Sequence, residues 1–130
     1  MNLAVLVLVA LSGLFHVAVF VMESFLLHRP GVARVFLVTP DTLPAVRPWA
    51  FNQGWYNLFL ALGALGGIAV SLGGAPVVGT TLSLFACGCM AGAAIVLAFS
   101  DPRMRGSALK QGLFPLLALL ASLLALAATD

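Results

Sequence analysis

The chain has 130 residues, of which 62% are hydrophobic and 8% charged, and its formal net charge is +2. A mean hydropathy of +1.15 with so few charges excludes an ordinary water-soluble domain, in which about 25% of residues are charged. The six basic residues are split between two short stretches, which excludes the extended basic face that nucleic-acid binding requires.

This composition predicts an all-α fold, a polytopic membrane protein whose four transmembrane helices form an antiparallel bundle with a long Pro-containing first loop. The apolar segments place helices at about 3–28, 51–72, 76–99 and 107–129, each near the roughly 20 residues that cross a hydrocarbon core of about 30 Å. They use most of the chain, so residues 1–130 read as a single domain.

In the first segment, Met1-Asn2 precedes an apolar run that carries His16 and Glu23 and is longer than a signal-peptide core, so it is expected to be a retained helix. His28-Arg29-Pro30-Gly31 should stop it, with basic side chains at the interface. The connection that follows contains Pro30, Pro40, Pro44 and Pro48, which argues against a continuous helix up to residue 50. Within it, residues 32–37 should form one short interfacial turn, and Thr39-Pro40-Asp41 a second.

The second segment begins in the polar, aromatic stretch Trp49-Ala50-Phe51-Asn52-Gln53-Gly54-Trp55-Tyr56-Asn57. Carboxamides, a phenol and an indole are costly in lipid and should face protein. The Gly73-Gly74-Ala75-Pro76 turn is short enough to force an antiparallel hairpin. Gly63 with Gly67, and Gly88 with Gly92, are small-xxx-small pairs expected to bring the second and third helices together. Cys87 and Cys89 lie two apart and point in nearly opposite directions on a helix, so neither a mutual disulfide nor a metal pair is expected. Ser100-Asp101-Pro102 ends the third helix. In the fourth, Pro115 frees the Gln111 carbonyl from its helical partner.

Arg29, Arg34 and Arg47 lie between helices one and two, and Arg103, Arg105 and Lys110 between or just inside helices three and four. By the positive-inside rule, loops 29–50 and 101–110 are cytoplasmic and both termini lie outside, in a cell inner (plasma) membrane.

Depth then connects the polar residues. At a rise of about 1.5 Å per residue, Glu23, Asn57 and Gln111 all fall in one layer just inside the loop-bearing side. His16 and Glu23 are two turns apart and share a face, as do Gln53 and Asn57 one turn apart. The bundle is therefore expected to aim Glu23, Gln53, Asn57 and Gln111 into one pocket with His16 as its floor, and Arg47 or Lys110 reaching inward as the nearest cation. Candidate ligand-binding or proton-linked residues are His16, Glu23, Asn52, Gln53, Tyr56, Asn57 and Gln111. They do not form a convergent metal-ligand set, and no cofactor is expected.

His16 and Glu23, the Asn52-Gln53-Gly54-Trp55-Tyr56-Asn57 stretch with Leu60-Ala61, and Gln111-Gly112 with Pro115 resemble a family of small bacterial four-helix integral membrane proteins of unknown function. The resemblance covers nearly the whole chain, although glutamine and proline in the last helix are four apart where three are expected. It implies the fold and the membrane, and brings no activity.

The leading expectation is binding or transport of a small, partly apolar molecule, with Glu23 as charge or proton partner. The alternatives are a membrane-embedded enzyme using His16 and Glu23 as acid and base on a lipid-like substrate, or a structural subunit whose polar layer sets helix register. The partners in view are membrane lipid and a small-molecule ligand, with homo-oligomerisation left open.

Overall fold

The structure is a computed structural model that describes residues 1–128. Among these the fold is all-α, with four long apolar helices packed on one another. Helix α1 covers Leu3–Phe25, α2 Pro30–Val35, α3 Leu43–Leu72, α4 Pro76–Ser100 and α5 Arg105–Ala127. The end predicted at 129 for the last helix lies outside the described residues.

The long helices form a ring in which α1 packs on α3, α3 on α4, α4 on α5 and α5 back on α1, while the diagonal α1–α4 contact is slight. The antiparallel alternation gathers the α1–α3 connection and the α4–α5 connection at one end of the bundle, with all six basic residues. The opposite end holds the N-terminus and the α3–α4 turn, where Gly74 adopts φ +101°, a conformation open to a residue without Cβ.

Local chemistry explains the helix limits. Asn2 caps α1 by accepting the Val5 N–H at 2.9 Å. The helix closes at Phe25, three residues short of the predicted 28, because the Leu26 N–H already turns back to the carbonyls of Met22 and Val21. Pro30 takes an early position in α2, where a missing N–H costs nothing. That short helix ends in a Schellman turn, with the Val38 N–H on the Ala33 carbonyl at 2.9 Å and the Leu37 N–H on the Arg34 carbonyl at 3.2 Å. Leu37 takes the left-handed position, φ 56°, that glycine usually fills.

The main departure from expectation is α3, which starts at Leu43 instead of near 51. Thr39 and Thr42 exchange hydrogen bonds, each backbone N–H reaching the other's hydroxyl at 3.0 and 3.4 Å, so the predicted second short turn leads directly into the helix. Pro44 falls in the first turn, where N–H groups have no intrahelical partner, and Pro48 removes only the bond to the Pro44 carbonyl, one turn from the end. Four prolines in the connection therefore did not prevent helix from residue 43. At about 1.5 Å per residue α3 is about 45 Å long, more than a hydrocarbon core, and its first turns carry Arg47 and a largely exposed Trp49.

The core lies in the half of the bundle nearest the termini. Val5, Val9, Ala64, Ala86, Cys87, Met90 and Ala118 bury one another there. The α3–α4 contact differs from the predicted glycine pairs. Gly67 does lie against α4, but its partners are Gly79 and Ser83, and a Cβ on Gly79 would meet the backbone of Gly67 and Ser71. The Ser83 hydroxyl donates to the Ala64 carbonyl at 2.9 Å, a polar tie across the same contact. Gly88 and Gly92 face open space. On the far side Gly112 of α5 receives Ala94 of α4.

Candidate functional site

Glu23 lies in the last turn of α1, on the face that buries Val5, Val9, Ser12, His16 and Val19 deeper in the bundle. Opposite it, Gly54 allows α3 to approach closely, since a Cβ there would strike the Ser24 hydroxyl and lie 3.2 Å from the Phe20 carbonyl. One turn on, Asn57 is 5% exposed, and its Nδ2 donates to Glu23 Oε2 at 2.8 Å and to the Gln53 carbonyl at 3.2 Å. Both amide hydrogens are then used. Among the described residues Glu23 Oε1 has no protein donor.

Beside this pair lies a cavity of about 710 Å³, within the range of about 300–1,000 Å³ usual for small-molecule sites. All four long helices line it, together with Val35 and Phe36 at the end of α2 and Met104 in the Pro102–Met104 3₁₀ turn. Its polar groups come from near the loop-bearing end: Glu23, Gln53, Asn57, Ser100, Ser107, Lys110 and Gln111. Its deeper wall is apolar, with Phe15 and Val19 on α1 and Ala93 on α4. Phe15 lies eight residues below Glu23, or about 12 Å along the helix axis.

The expected residues divide into two groups. Glu23, Gln53, Asn57 and Gln111 line one cavity, and Lys110 is the cation that joins them. Arg47 does not contribute to the wall. Asn52 and Tyr56 also lie outside it, exposed on the outer face of α3, where the Tyr56 ring meets Phe59. His16 is fully buried but is not part of the cavity wall, so it is not the floor. Its Nδ1 lies 2.9 Å from the Ser12 carbonyl, which can only accept, so Nδ1 carries a proton; Nε2 is buried without a partner.

Phe15, Val19, Met22 and Ser107 were not anticipated. Their spacing was a usable signal, since positions 15, 19 and 22 lead to Glu23 on one helical face and Ser107 precedes Gln111 by one turn. Val35 and Phe36 carried no such signal, because only the folding of the α1–α3 connection brings them to the cavity.

Outside the spans, Asp101 caps the 3₁₀ turn by accepting the Arg103 N–H at 2.9 Å and pairs with the Arg103 guanidinium at 2.8 Å. These bonds from Arg103 hold the Asp101 carboxyl below the usual carboxylate range. This is the one ion pair among the described residues, so Glu23 and Lys110 line a common cavity without pairing.

A family described as "Protein of unknown function (DUF1304)" matches residues 10–123 of the chain. No curated protein and no solved structure matches it.

Proposed function

We propose, from the premise that the chain belongs to the DUF1304 family of proteins of unknown function, that it binds or transports a small, partly apolar molecule in the cavity between its four long helices. The observation that carries this reading is the cavity itself: about 710 Å³ in a chain of 130 residues, with a carboxylate, an ammonium and three carboxamides on apolar walls. A bundle that needed only helix register would gain more by closing that space, because unfilled volume forfeits packing. Glu23 is the charge or proton partner, and Asn57 holds one of its oxygens while the other stays available.

The side of the membrane follows from charge. All six basic residues belong to the cavity end, which the positive-inside rule assigns to the cytoplasm of a cell whose inner (plasma) membrane holds the protein, with both termini outside. A His16–Glu23 acid–base pair acting on a substrate draws no support from this geometry, since His16 is absent from the cavity wall.

Filling the cavity tests the reading. Ala93 is an exposed small residue on the apolar wall, so Ala93→Trp should occupy the space without disturbing the packed core. Purified protein in nanodiscs should bind 1-aminoanthracene saturably above empty nanodiscs, and Ala93→Trp should lose that binding while keeping its helical circular dichroism. Equal binding by both proteins, or none by either, would overturn the proposal.

A further inference from the structure

The two opposite charges in the cavity carry an inference that rests on the binding reading and makes it more specific. Glu23 comes from α1 and Lys110 from α5, and these helices are neighbours in the ring. Neither charge is satisfied by the other, and neither has an oppositely charged partner elsewhere among the described residues. Glu23 has one donor, the uncharged Asn57 amide, on one oxygen. A carboxylate and an ammonium left apart across a cavity present complementary sites to a molecule that carries both signs.

The walls add a direction. The polar groups Glu23, Gln53, Ser107, Lys110 and Gln111 occupy the loop-bearing end, and the Phe15, Val19 and Ala93 end is apolar. A ligand that matches both features has a compact head with an ammonium and an anionic group, and one hydrocarbon tail. A purely anionic amphiphile would leave Glu23 opposed by like charge, and a purely cationic one would leave Lys110 so. A two-tailed lipid would have to seat both chains on the same apolar wall, which runs only about 12 Å along α1 from Glu23 to Phe15. We infer that the cavity selects a single-tailed zwitterion, with its ammonium on Glu23, its anionic group on Lys110 and its tail along Phe15, Val19 and Ala93.

Equilibrium dialysis against the full chain in nanodiscs, corrected for empty nanodiscs, compares three probes that share a ten-carbon chain: 2-aminodecanoic acid, decylamine and decanoic acid. The expected result is that the zwitterion binds at least tenfold more tightly than either singly charged probe. Lys110→Gln should erase its advantage over decylamine, and Glu23→Gln its advantage over decanoic acid. Retained helical circular dichroism, together with retained binding of the favoured singly charged probe, reports that each variant is folded. If decylamine or decanoic acid binds as tightly as the zwitterion, the zwitterion assignment is wrong and cavity binding stands. If no probe binds above empty nanodiscs and 1-aminoanthracene also fails, both fall together.

Discussion

Asn57 on α3 reaches the Glu23 carboxylate on α1 across 2.8 Å, and it does so one turn after Gly54, where the two helices approach closely for want of a side chain. The bond thus joins the polar layer to a backbone contact. Interhelical hydrogen bonds in membranes average about 0.6 kcal/mol and reach about 1.7 kcal/mol. A carboxylate acceptor facing a nearly buried donor belongs toward the upper end. A double-mutant cycle of Glu23→Ala and Asn57→Ala, read by reversible unfolding in mixed micelles, should give a coupling of about 1–2 kcal/mol. Additive single effects would mean that the pair contributes nothing to the bundle.

The α3–α4 contact predicts an uneven response to one chemical change. A methyl group at Gly79 would enter the backbone of Gly67 and Ser71, neither of which can move aside as a side chain could. The same methyl at Gly88 or Gly92 meets nothing within 4 Å. Gly79→Ala should therefore separate the helices and broaden the gel-filtration profile of the purified protein. Gly92→Ala should be indistinguishable from the parent, within about 0.5 kcal/mol of its stability. Equal tolerance at Gly79 would show that the helices cross elsewhere.

That contrast also shows how far the sequence could be read. The four spans were legible because roughly 20 apolar residues have few other uses, and the polar layer was legible because rise per residue fixes depth along any helix. Rotation of one helix against the next was not legible. Gly88-xxx-Gly92 has the spacing of a packing motif yet lies on the open side of α4, and Gly79 with Ser83 has the same spacing on the closed side. His16 lies two full turns from Glu23, as expected, but it is sealed among its neighbours, and Phe15, the adjacent residue, is the one that lines the cavity at that depth. Which of two adjacent residues enters the cavity depends on helix rotation, and that is set by contacts with several segments at once. The start of α3 was misjudged for another reason. Prolines were read as breakers, although the first turn of a helix accepts them and the Thr39–Thr42 exchange prepares that turn.

The Asp101–Arg103 pair predicts an acid-side effect confined to the α4–α5 connection. Arg103 lowers the folded-state pKa of Asp101, chiefly through side-chain hydrogen bonds. A depressed carboxylate contributes stability that is fully present above its unfolded value, about 3.9, and is lost as pH falls through the lower folded value. In a carbon-13 titration, Asp101 should therefore stay ionised to lower pH than it does in the unfolded chain. Arg103→Gln should return Asp101 to the ordinary range, while the long helices keep their circular dichroism. An Asp101 midpoint unchanged by Arg103→Gln would show that the pair does not form in solution.

The two cysteines give a test of how α4 is turned in the bundle. Cys87 is fully buried in the core beside Val9 and Met90, whereas Cys89, two residues on in the same helix, is exposed. A pyrene maleimide that partitions into the bilayer meets exposed thiols first, so in native nanodiscs it should modify one thiol per chain. Cys89→Ser should abolish that labelling and Cys87→Ser should leave it intact, with both thiols reacting once the protein is unfolded in dodecyl sulfate. The rotation that buries Cys87 is also the one that sets Ala93, Val96 and Leu97 into the cavity wall. Labelling at Cys87 in the native protein would therefore mean that α4 presents another face to the bundle, and the apolar side of the proposed site would have to be assigned to other residues.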